Sequence, residues 1–176
     1  MSYLTQTPRI PTSCFVHPSA QIIGEVTLGE QCSVWPQTVI RGDVNSIMIG
    51  EQTNIQDGCV LHVTHASSYN PRGQALHIGS QVTIGHRVVL HGCQVADRCL
   101  LGIGSIVMDG VQIEPHTMLG AGCLVPPNKR LEAGFLWVGQ PATKVRALTE
   151  DEIAFLSYSA EHYTKLAAQY MKSAVA

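Results

Sequence analysis

One aliphatic residue in every six marks most of this chain, and where the beat slips it slips by an insertion and then resumes. The runs are Val16, Ile22, Leu28, Val34 and Ile40; Ile49, Ile55 and Leu61; Ile78, Ile84 and Leu90; and Val95, Leu101, Val107, Ile113, Leu119, Val125 and Leu131. Four positions after the beat the residue is usually small or β-branched, as at Ala20, Val26, Cys32, Thr38, Thr53, Cys59, Val82, Ser105 and Cys123. Such a period fits neither an isolated helix nor a flat strand. It suits short strands joined by tight corners and stacked into a solenoid, with the beat pointing inward. Glycine follows the beat at Gly29, Gly50, Gly79, Gly85, Gly102 and Gly120, and access to positive φ at a corner is the expected reason.

The pattern resembles the parallel β-helix of hexapeptide-repeat proteins, in which three hexapeptides make one triangular coil. The left hand of that helix is implied by the resemblance and not by the spacing. With 176 residues, 45% hydrophobic and 14% charged, the chain can bury a continuous core. A net charge of -2 gives no basic footprint for nucleic acid. No apolar run is long enough to span a membrane, and Met1 to Pro11 lacks the apolar stretch of a secretory signal, so a cytoplasmic location is expected. Cys32, Cys59, Cys99 and Cys123 fall on the small inward position, which predicts packed, reduced thiols; Cys14 and Cys93 stay unassigned.

Residues 1–140 are expected to form the solenoid domain and 141–176 a tail with one helix, because Pro126, Pro127 and Pro141 interrupt the beat. Thr149 with Glu152 three residues on forms a capping box, and Glu150 and Asp151 suit the positive end of the helix dipole. Ile153, Leu156, Ala160, Tyr163, Ala167 and Tyr170 make an apolar stripe at helical spacing, predicted to lie on the solenoid or on a neighbouring subunit.

The polar residues carry the function. If the coil faces opening at Ile49, Ile55 and Leu61 are the first, second and third, two breaks in the beat have to be placed at corners. A short insertion is expected at Ser46 to Met48 and a longer loop between His65 and His77. Arg41, His62 and His91 then form one column on the third face, each one position after its beat, while Asp57 and His86 form another on the second face, with Gln56 beside Asp57. Adjacent coils lie about 4.8 Å apart. Two imidazoles at that spacing can share a zinc ion, whose bonds to nitrogen are about 2.0–2.1 Å long. His86 lies on a different face, so the set is completed by a neighbouring subunit, and the geometry predicts a homotrimer with three shared sites. Arg41, Gln56, His62 and His91 also stand where the lattice elsewhere prefers glycine, a departure expected at functional sites.

Three segments sharpen this reading: Arg41-Gly42-Asp43-Val44-Asn45, Asn54 to His62, and Ile84 to Cys93. They resemble the signature blocks of the gamma-class carbonic anhydrase family, and more narrowly its short YrdA-like bacterial branch. The resemblance spans nearly the whole chain. It implies that His62, His86 and His91 bind zinc, or iron in some settings, leaving an open position for water. Three neutral imidazoles leave the metal its positive charge, which lowers the pKa of bound water from about 15.7 to near 7 and supplies hydroxide to attack carbon dioxide, giving bicarbonate. By the same resemblance Gln56 orients hydroxide or substrate, Arg41 pairs with Asp57 or Asp43 across a subunit interface, and Tyr158 matches a tyrosine of the C-terminal helix near the site.

The chain departs from the family's active archetype where protons leave the site. Val44 stands in place of a glutamate, and the loop from Ala66 to Leu76 contains no Asp or Glu. Weak carbon dioxide hydration by a metal-dependent lyase is therefore expected, with His65 and His77 as candidate relays. Two other classes share the lattice: hexapeptide-repeat acyltransferases, which use coenzyme A and one histidine base, and noncatalytic trimeric scaffolds.

Overall fold

The computed structural model describes residues 1–173. It is a left-handed parallel β-helix of about 7 coils with one C-terminal helix. The beat residues stack in three columns. Val34, Ile55, Ile84, Leu101 and Leu119 are in register on the second face, Ile22, Ile40, Leu61, Leu90, Val107 and Val125 on the third, and Leu28, Ile49, Ile78, Val95, Ile113 and Leu131 on the first. Ile40, Leu61 and Leu90, which form the floor beneath the histidine column, are fully buried. Each such side chain contributes about 1.5–3 kcal/mol through removal from water.

The small position four after the beat is chemically specific as well as small. Cys32 Sγ donates to the Gly50 carbonyl at 3.0 Å, Thr53 Oγ1 to Gly79 at 2.9 Å and Cys59 Sγ to Gly85 at 3.1 Å. These bonds occupy backbone acceptors at the corners, which helps to explain why Cys, Thr and Ser recur there. All six cysteines are free and buried, Cys14 and Cys93 included.

Two expectations about the corners are corrected. The glycines that follow the beat do not supply positive φ. Gly50 is needed because a Cβ there would lie 2.6 Å from the backbone of Gly79 and Ser80 on the next coil. Positive φ instead falls three positions after the beat, where Gln31, Gln37, Gln52, Gln81, Arg87, Arg98, His116 and Asn128 have φ between 53° and 61°. Along one corner such residues bond to one another: Gln52 to Gln31 at 2.8 Å, Gln81 to Gln52 at 3.0 Å and Arg98 to Gln81 at 2.9 Å. These contacts offset part of the left-handed strain.

The short insertion also sits elsewhere than expected. Gly24 pairs with Gly42 and Val26 with Ile47, so Glu25 alone lies opposite Asp43, Val44, Asn45 and Ser46. The extra chain therefore starts at Asp43, at the corner between the third face and the first face that follows it. The longer loop leaves the corner after His62 and closes at the Thr64–Gln74 bridge, which preserves the expected pairing of Leu61 with Leu90.

Phe135–Gly139 pairs antiparallel with Ala142–Ala147, which ends the parallel stacking. The helix Glu150–Ser173 follows. Its capping box forms as expected: the Thr149 N–H donates to Glu152 at 2.9 Å and the Glu152 N–H to Thr149 Oγ1 at 3.2 Å. The helix packs on the second face, burying Leu156, Ser159, Ala160 and Ala167, with Tyr163 and Tyr170 edge-on to Trp35. Ile153 of the expected stripe is exposed, and Ser159, outside the stripe, is buried.

Candidate metal centre

His62 and His91 end the adjacent strands Val60–His62 and Val89–His91 and are register partners. Their ring centroids are 5.1 Å apart, and His62 Nδ1 lies 3.1 Å from His91 Nε2. Two nitrogens held by one tetrahedral zinc are separated by about 3.3 Å, given bonds of about 2.0–2.1 Å. The pair is thus spaced as two ligands of one ion.

The other nitrogen of each ring meets a carboxylate. His62 Nε2 is 2.9 Å from Asp43 Oδ1, and His91 Nδ1 is 2.5 Å from Asp109 Oδ1. A carboxylate on one ring nitrogen fixes the tautomer and the ring orientation, and so turns the remaining nitrogens of His62 and His91 toward each other, as shared metal ligands require. Arg41 Nη1 donates to Asp43 Oδ2 at 2.6 Å within the same chain. Asp43 is one of the two acids expected to pair with Arg41, and the insertion that begins there brings it to the guanidinium of the same chain. Partial burial pushes the Asp43 carboxyl up, but hydrogen bonds from His62 and Arg41 outweigh it and hold the group below its ordinary value.

Asp109 and Thr64 were not singled out by the sequence. Asp109 follows Val107 by two positions, the offset that Asp57 and His86 have from Ile55 and Ile84, so the lattice carried a signal for it. Its other oxygen accepts from Thr64 Oγ1 at 2.7 Å. Gly92 keeps the passage open. A Cβ at Gly92 would lie 2.6 Å from Asp109 Oδ1.

His86 and Asp57 occupy the corner of the second face, with His86 Nδ1 3.0 Å from Asp57 Oδ2. Both side chains are nearly half exposed, at 43% and 48%. Gln56, one position earlier, is buried beneath the C-terminal helix and donates from Nε2 to Asn54 Oδ1 at 3.1 Å. Tyr158 is exposed on that helix, its ring stacked on His162 at 6.1 Å. Among the described residues of one chain, no three His, Cys, Asp or Glu side chains are grouped to hold an ion. The structure thus brings His62, His91, Asp43 and Arg41 together and keeps His86, Asp57 and Gln56 on another face.

Over 164 residues the chain is 55% identical to Protein YrdA of Escherichia coli, covering 93% of this chain and 89% of that protein. It is 42% identical over 171 residues to a carbonic anhydrase of Geobacillus kaustophilus, covering 97% and 90%, and 44% identical over 167 residues to the mitochondrial gamma carbonic anhydrase 1 of Arabidopsis thaliana, covering 95% and 60%. The chain belongs to the gamma carbonic anhydrase-like family. A solved relative, a hexapeptide transferase family protein from Anaplasma phagocytophilum, shares 41% identity over 96% of both chains with a TM-score of 0.88. No protein-family model matches the chain. Gamma carbonic anhydrase-like membership implies a metal cofactor, which suits the paired imidazoles. Among the described residues no helix is long and apolar enough to cross a membrane.

Proposed function

We propose that this protein is a metal-dependent carbonic anhydrase-like enzyme that hydrates carbon dioxide to bicarbonate at sites shared between the subunits of a homotrimer. One observation carries the reading. His62, His86 and His91 each have one ring nitrogen against a carboxylate, Asp43, Asp57 and Asp109 respectively, and the remaining nitrogens of His62 and His91 face each other at 3.1 Å, the spacing of two ligands of one ion. His62 and His91 of one subunit and His86 of its neighbour would hold zinc, or ferrous iron. When bound, the ion supplies a Lewis acid that makes hydroxide available near neutral pH.

The surface beside the histidines supports the shared arrangement. Val60, Val89 and Ile106 are stacked in register on the outer side of the third face, and Val60, Ile106 and Met108 are each more than 40% exposed. An aliphatic strip flanking incomplete ligand sets suits burial against another copy of the chain. In that assembly Gln56 and Asp57 accompany His86 into the site. Gln56 orients the reacting species through its amide, Asp57 and Asp43 hold their histidines, and Arg41 holds Asp43. Tyr158 borders the site from the helix.

Proton removal sets the rate in this reading. Val44 is 44% exposed beside Asp43, and no carboxylate lies in the loop from Ala66 to Leu76. Turnover should rise with the concentration of an imidazole buffer, and Val44→Glu should raise it in weak buffer.

The deciding experiment is subunit complementation on protein purified anaerobically. His62→Ala and His86→Ala should each lose metal, and mixed trimers should regain it at sites that draw intact ligands from both variants. A mixture that exchanges subunits yet regains no metal overturns the shared site. Metal-free parent protein that transfers an acyl group from coenzyme A would favour the transferase reading suggested by the name of the Anaplasma relative. A metal-loaded trimer inactive toward carbon dioxide under every buffer would favour a scaffold.

A further inference from the structure

Beneath the C-terminal helix runs a chain of hydrogen bonds that ends at Gln56. Gln56 Nε2 donates to Asn54 Oδ1 at 3.1 Å, Asn54 Nδ2 donates to Thr83 Oγ1 at 3.0 Å, and the Thr83 and Ser159 hydroxyls lie 3.0 Å apart. All four residues are buried, with exposures from 1% to 8%. Asn54 and Thr83 are register partners on adjacent coils, whereas Ser159 arrives from the helix, 76 residues along the chain from Thr83.

The amide end of the network has a defined polarity. An amide can reverse its oxygen and nitrogen at little steric cost, so hydrogen-bond partners decide which end points where. Asn54 Nδ2 also faces the Val82 carbonyl at 3.4 Å. Reversing Asn54 would set its oxygen against that carbonyl. Held as it is, Asn54 offers only its oxygen to Gln56 and so commits Nε2 of Gln56 inward. Thr83 accepts from Asn54, and its hydroxyl is held in turn by a hydrogen bond with that of Ser159, in which either oxygen can donate. Among the described residues no group donates to Gln56 Oε1, which is left for a partner outside this network.

We propose that Ser159 and Thr83 are positioning residues for Gln56: through Asn54, the C-terminal helix sets which end of the Gln56 amide is presented to the metal centre. This rests on the reading that Gln56 serves that centre. It also gives the helix a part in the site apart from the exposed Tyr158.

The test uses the full chain, zinc-loaded and 15N-labelled, with the side-chain amide resonances of Gln56 assigned by their loss in Gln56→Ala. Thr83→Val keeps the shape and removes the hydroxyl, Thr83→Ser restores the hydroxyl, and Ser159→Ala removes the helix partner. In the parent the Gln56 amide protons should exchange slowly. Thr83→Val should speed their exchange about tenfold or more, Ser159→Ala should do so to a smaller extent, and Thr83→Ser should restore the parent behaviour.

Zinc content should not change, while kcat for carbon dioxide hydration falls roughly tenfold to a hundredfold at nearly constant KM. Parent-like Gln56 resonances and kcat in both Thr83→Val and Ser159→Ala would overturn the proposal. If Thr83→Val frees the amide but Gln56→Ala leaves kcat unchanged, the positioning stands and the catalytic reading of Gln56 falls. Should Thr83→Val fail to fold, Ser159→Ala carries the same readouts.

Discussion

Removing the Asp109 carboxylate should weaken zinc binding without disturbing the coil. Asp109 reaches His91 Nδ1 at 2.5 Å and is itself held by Thr64 Oγ1 at 2.7 Å. A hydrogen bond involving a charged group contributes about 1.5–3 kcal/mol. The His91 and Asp109 side chains are 38% and 36% exposed, so solvent screening favours the lower end of that range. Loss of about 1.4 kcal/mol is a tenfold change in affinity, at the low end of the roughly 10–100-fold effects seen for groups that orient metal ligands. Asp109→Ala should therefore bind zinc about tenfold more weakly than the parent, with Asp109→Asn, which keeps an acceptor but not the charge, between them. Competition against a chromophoric chelator measures this directly. Asp97→Asn is the control, because Asp97 accepts from the Ser80 N–H at 2.8 Å on a different corner. Affinity for Asp109→Ala within about twofold of the parent would refute the idea that this carboxylate orients His91.

Gly50→Ala should cost about 1–3 kcal/mol, because its Cβ would press on the next coil, whereas Gly104→Asn, at φ +69 with open space around it, should cost less than about 1 kcal/mol; chemical denaturation ranks the two. Hydrogen bonding with Arg146 and then with the Thr149 N–H holds the Glu152 carboxyl down at about 2. Its contribution is present above its unfolded value of 4.5 and is lost as pH falls from there through about 2, so the difference in stability between the parent and Glu152→Gln should shrink across that window in acid titrations followed by circular dichroism. Among the thiols, Cys14 is the most exposed at 8%, while burial pushes Cys59, Cys93 and Cys99 up to about 12. Iodoacetamide near neutral pH should thus label Cys14 first by peptide mass spectrometry, and faster labelling of Cys59 or Cys93 would contradict this ordering.

Much of the architecture was determined by local rules that any reader of the chain can apply. An inward aliphatic residue at every sixth position sets coil register, so the stacking of Leu61 on Leu90, and with it His62 on His91, followed from counting once the stretch between His65 and His77 was placed as a loop. The Thr149–Glu152 capping box was equally legible, because its partners are three residues apart and the helix start supplies the geometry. Corner chemistry was less so. Glycine after the beat answers to the close approach of a neighbouring coil, a contact between residues such as Gly50 and Gly79 that are distant in sequence. Asp109 could have been reached from its offset, but its bond to His91 depends on the space left by Gly92.

What only the tertiary structure decided are the contacts made where regular repetition is interrupted or where the helix returns. The position of the extra residues at Asp43 to Ser46 determines that Arg41 meets Asp43 within one chain, since a shift of the insertion by a few residues would send that acid elsewhere. Ser159 meets Thr83 only because the helix folds back across the second face. Periodicity determines which side chains point inward and which stack, because a six-residue coil repeats the same backbone geometry. It carries no information about how far a loop reaches or where a helix lands, which depend on packing between residues far apart in the chain.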